Sequence, residues 1–152
     1  MVDGPISPSV ANNGDSGEAI DRKSLQDALD RLSHKVDAGN FERMRWGRDE
    51  MPKLLRLVEL VKGAVEDRSD IEINEEGGEG NSKRFVIKVH GQRIAGLGMA
   101  LDKGRAVAAI GSIERSSFAV EQGDPIHTLY ENVDAEWMAQ TLGTLMERIV
   151  QR

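Results

Sequence analysis

The sequence predicts an α+β protein in which an antiparallel four- or five-stranded sheet, a meander at its centre, packs with two N-terminal helices and one C-terminal amphipathic helix. Three observations carry this. Apolar residues recur at helical spacing from Ser24, from Asp49 and again from Asp134, and they alternate at strand spacing around Ile71 and Phe85. The stretch "GQRIAGLGMALDKGRAVAAIG", residues 91–111, is apolar, crowded with Gly and Ala, and broken by turn residues into strand-length runs. Helices lying before and after the strands, rather than between them, point to α+β.

The chain has 152 residues, enough to bury a core without disulfides or metals. Its 20 basic and 26 acidic residues give a formal charge of -6, which argues against nucleic acid or an anionic membrane as the main partner. With no cysteine, disulfides, thiol catalysis and thiolate metal sites are excluded, and a reducing cytoplasm is the expected location. No apolar run approaches the roughly 20 residues of a membrane-crossing helix, so no membrane partner is expected.

Residues 1–22 contain Gly4, Pro5, Pro8, Gly14 and Gly17 and no periodic hydrophobicity, so a disordered tail without a secretory signal is expected, followed by a single domain over residues 23–152. Ser24 and Asp27 have capping-box spacing at the start of a helix that carries Leu25, Leu29, Leu32 and Val36 before Gly39. That stripe also has the spacing of a coiled-coil seam, but over fewer than two heptads. Packing within the domain is therefore the plainer expectation and a dimer contact the alternative.

A second helix starts at Asp49, with Pro52 harmless in its first turn, and runs to about Glu66. Met51, Leu54, Leu55, Leu57, Val58, Leu60, Val61, Ala64 and Val65 spread over more than half its circumference, which asks for a sheet on one side and a helix or subunit on the other. Strands follow at Ile71 and Ile73 and at Phe85, Ile87 and Val89. The acidic, glycine-rich loop between them, residues 75–82, is expected to be mobile.

A two-residue turn at Gly91 and Gln92 would set Ile87 opposite Gly96 and Phe85 opposite Gly98. A three-residue turn, Asp102-Lys103-Gly104, would set Ala108 beside Gly98 and Ile110 beside Gly96. One face then has a flat Gly/Ala centre on which a helix can seat. The other carries Val86, Leu97, Met99, Leu101 and Val107 as the candidate interaction surface, fringed by Arg84, Lys88, His90 and Arg93 as candidate anion contacts. Residues 118–122 suggest a further strand, and the following segment a turn. The last helix is capped by Asp134, stapled by Val133 and Met138, and striped by Met138, Leu142, Leu145 and Ile149.

No motif assigns chemistry. Gly96 and Gly98 lack the third glycine and the following helix of a dinucleotide loop, and His34, His90 and His127 lack metal-ligand spacing. Glu75, Glu76 and Glu79 do not follow calcium-loop order, and Gly111-Ser112-Ile113-Glu114 departs from a nucleophile elbow. Asp124, His127, Tyr130 and Glu131 could form an acid/base group, yet turn composition explains them equally. No catalytic residue, metal or cofactor is therefore assigned. The basic strand around Arg84 lacks the stacked aromatics of a nucleic-acid surface, and Trp46, among Arg43, Arg45 and Arg48, reads as a core or rim residue rather than a stacking platform.

The reading that remains is a non-enzymatic protein-interaction module, its partner another protein or a second copy in a homo-oligomer. The alternative is a small-ligand-binding or enzymatic domain that uses the Gly/Ala strip as a cavity floor. A weaker one is a secretion-chaperone-like protein, an analogy of size, acidity, α+β content and C-terminal helix alone.

Overall fold

The described residues open with a helix and close with a short strand. The computed structural model describes residues 14–152, with side chains from residue 21, so residues 1–13 of the expected tail lie outside the described residues. The chain divides after Trp46 into two compact units. In the first, α1 (Gly14–Val36) begins upstream of Ser24, so the capping-box spacing there does not mark a helix start. Lys35 lies in its last turn, where a cation complements the helix dipole. Asp37 then caps α2 (Ala38–Arg45) by accepting the Asn40 N–H at 3.0 Å, and Phe41 is buried with its ring edge-on to His34.

A single π-helical turn, Trp46–Glu50, spans the division, and α3 (Met51–Ala64) follows with Pro52 in its first turn. The second unit continues with β1 (Ile71–Glu75), β2 (Ser82–Val89), β3 (Gln92–Asp102), β4 (Arg105–Gly111), β5 (Phe118–Val120), β6 (Ile126–Leu129), α4 (Ala135–Met146) and β7 (Ile149–Gln151). Five strands form one antiparallel sheet in the order β1-β2-β3-β4-β6. The fold is α+β with a meander at its centre, as expected. Two expectations within it need correcting: the fifth strand of the sheet is Ile126–Leu129, which had read as turn, while Phe118–Val120 pairs with Ile149–Gln151 in a separate ribbon.

The register differs from the expected one, and it decides which residues form the core. The β2–β3 turn is His90-Gly91, with φ of 48° and 78°, and the β3–β4 turn is Lys103-Gly104, with φ of 49° and 79°. Both are two-residue reversals with two left-handed residues, whose twist matches that of the strands they join. A bulge at Ile94 then shifts the ladder from Lys88↔Arg93 to Ile87↔Ala95, so Phe85 faces Leu97 and Val86 faces Gly96. Ser116, itself buried, donates from Oγ to the Ile94 carbonyl at 2.7 Å, which satisfies a main-chain group at the bulge.

With that register Phe85, Ile87, Leu97, Met99, Leu101, Ala106 and Ala108 share one face, and all are buried. The helices cover this face, α3 packing on β3 and on α4, and α4 on β4. α3 contributes Leu54, Leu57, Val58 and Val61, and α4 contributes Met138, Leu142 and Leu145. Each such side chain is worth roughly 1.5–3 kcal/mol on full burial. Asp134 caps α4 through Trp137 N–H at 2.7 Å, and Val133 and Met138 are both buried as the staple requires. Ile149 lies beyond the end of α4, in β7. The loop at residues 75–82, expected to be mobile, is tied by Arg84 N–H to Gly77 O and Ser82 N–H to Glu79 O.

Candidate interaction surface

Alternate residues of the same strands project from the opposite face. Three rows cross it: Asn74, Val86, Gly96 and Gly111; Arg84, Gly98 and Ala109; and Ser82, Ala100, Val107 and His127. The Gly/Ala strip therefore lies on the side away from α3 and α4, and no helix of this unit seats on it. Among the described residues no atom comes within 4 Å of where a side chain on Gly98 or Gly111 would begin. At Gly96 the Ile113 side chain approaches to 3.3 Å and forms a wall. A groove of about 530 Å³ results, lined by Arg84, Val86, Gly96, Gly98, Ala109 and Ile113 among others.

Of the five residues expected to form one interaction surface, Leu97, Met99 and Leu101 belong instead to the helix-covered core, because the bulge inverts β3 relative to β2. Val86 and Val107 remain on the uncovered face, Val86 buried within it and Val107 half-buried. Ile113 and Ser116, which shape the groove and support the bulge, carry no signal in the sequence. Each is a single residue in an irregular segment.

The four candidate anion contacts have different fates. Arg93 is engaged by Glu76 through two bonds of 2.7 and 3.1 Å, and this fork holds the Glu76 carboxyl below its ordinary range. Lys88 stands opposite Glu72 in the ladder. His90 occupies the turn. Arg84 makes no side-chain hydrogen bond or ion pair among the described residues and stands at the groove. At the other end of the face Arg105 donates from Nε to His127 Nδ1 at 3.0 Å.

No protein-family model, curated protein or solved structure matches the chain. The acid/base possibility is not favoured by the surroundings of its groups: His127 accepts from Arg105, Asp124 offers its main-chain carbonyl to Arg148, and the Tyr130 ring lies under Lys53 and Arg56 at 5.3 and 5.4 Å. Among the described residues no three His, Asp or Glu side chains gather where they could hold a metal ion, and no helix is long and apolar enough to cross a membrane.

Proposed function

We propose that the chain is a non-enzymatic protein-interaction module that self-associates, with the uncovered sheet face as its working surface. The observation that carries this is the uncovered patch of Gly98, Ala100, Val107 and Ala109, drawn from two adjacent rows directly behind a core to which α3 and α4 contribute. A flat face of small and aliphatic residues gains most by meeting a second protein layer, as the two layers of a domain do. An acidic, cysteine-free chain suits the cytoplasm, which is the location this reading assigns.

Sedimentation equilibrium over a range of concentrations tests it. The full chain is expected to associate reversibly, and Val107→Glu to shift it about tenfold or more toward monomer while its unfolding midpoint stays within a few degrees. A parent chain that is monomeric throughout would sink the proposal.

The groove supports a second reading, a small-ligand domain that takes a carboxylate beside Arg84 on the glycine floor. What favours it is an arginine that makes no ion pair at a concave, uncovered site, where the one lining carboxylate, Glu76, is already held by Arg93. Titration with 2-naphthoate should then perturb the amide resonances of Gly96, Gly98 and Ala109 saturably, and Arg84→Gln should abolish the effect. Perturbation that Arg84→Gln leaves unchanged would remove this reading.

A further inference from the structure

A second unpartnered surface lies in the first unit. Leu25, Leu29, Leu32 and Val36 are 54, 45, 56 and 78% exposed, although their steps of 4, 3 and 4 put them on one side of α1. Leucine at such spacing on the outside of a helix has the pattern of a two-helix seam. We infer that the occupant of this stripe is the same stripe of a second copy, so that α1 pairs with α1 across a two-fold axis. This rests on the self-association proposed above and adds a second contact to it.

The positions flanking the seam favour an identical partner. A homodimer sets equal residues against one another, and like charges there oppose pairing. With Leu25 and Leu32 in one seam position and Leu29 and Val36 in the other, the flanking residues are Gln26, Ala28, Ser33 and Lys35, of which only Lys35 is charged. The charged residues Lys23, Asp27, Asp30 and Arg31 lie farther round the helix.

Area sets the strength. The four exposed side chains offer on the order of 400 Å² per copy, a patch of the size that marks functional surface. Two copies with their flanking residues would bury roughly 1,000 Å², at the lower edge of a specific interface. A seam of under two heptads would not hold two free helices together. In the folded chain α1 is already formed and backed by α2, so the seam pays no helix nucleation of its own and its loss should weaken association measurably.

The test is sedimentation velocity on the full chain, comparing the parent with Leu29→Glu, Leu29→Met and Val107→Glu. Leu29 is already half in water, so neither substitution at it should disturb the fold. We expect Leu29→Glu to weaken dimerisation by about tenfold or more and Leu29→Met to preserve it. If Leu29→Glu associates as the parent does while Val107→Glu does not, the helix pairing is wrong and the sheet-face reading survives. If Leu29→Glu dissociates and Val107→Glu does not, the pairing stands and the sheet face is not the interface. A monomeric parent overturns both.

Discussion

Glu76 illustrates how a charge-rich hairpin leaves few groups free. Its carboxylate receives both nitrogens of the Arg93 fork, and that bond, with smaller help from the nearby charges of Arg93 and Lys88, keeps it ionised to lower pH than an ordinary glutamate. Because the folded-state pKa lies below the unfolded one, the contribution of the pair to stability is present above the ordinary carboxylate range. It is lost as pH falls through the depressed folded value. Both side chains are exposed, so salt should erode the shift. A side-chain NMR titration is expected to find Glu76 titrating below the ordinary range, and Arg93→Gln to move it back upward. Equal titration in parent and variant would mean that the fork does not persist in solution. Arg84 stands in contrast: it sits opposite Gly98 in the ladder and forms no ion pair, the neighbouring Glu76 carboxylate being held by Arg93, which is why Arg84, and not Arg93, is the cation relevant to the groove.

At the scale of elements, what the sequence made legible followed from local chemistry and what it hid depended on single residues that shift a ladder. The last helix was readable because Asp134, Val133 and Met138 each act within one turn. The meander was readable from alternation and its two glycine turns. Its register was not, and the reason is parity. Moving the first turn from Gly91-Gln92 to His90-Gly91 leaves the same β3 residues on each face, whereas the bulge at Ile94 exchanges them. Shortening the second turn from three residues to two exchanges faces again, so the faces of β4 match those of β2 as expected, and β3 alone is inverted. That inversion carried Leu97, Met99 and Leu101 into the core and Gly98 into the open, and of the expected surface it left only Val86 and Val107 in place. β6 was hidden for a different reason. It is a short edge strand that follows Pro125 and carries His127 and Thr128, a composition that reads as turn until a sheet edge is there to receive it.

For the whole molecule, the division after Trp46 separates residues that hold the core from residues that offer a seam. Among the described residues every buried hydrophobic side chain except Phe41 follows that division, while the largest exposed apolar stripe precedes it. Stability and association should accordingly be separable. A chain beginning at Gly47 is expected to keep its α+β circular dichroism and to unfold cooperatively within about 5 °C of the parent, because every buried hydrophobic side chain among the described residues except Phe41 lies in the part that remains. The same chain should associate more weakly, since α1 is gone while the face around Val107 remains. Loss of cooperative unfolding would instead mean that the helices before Trp46 are needed to complete the core. Residues 23–152 would then have to be regarded as one folding unit, and exposure of the leucine stripe as a cost the fold carries rather than a surface it uses.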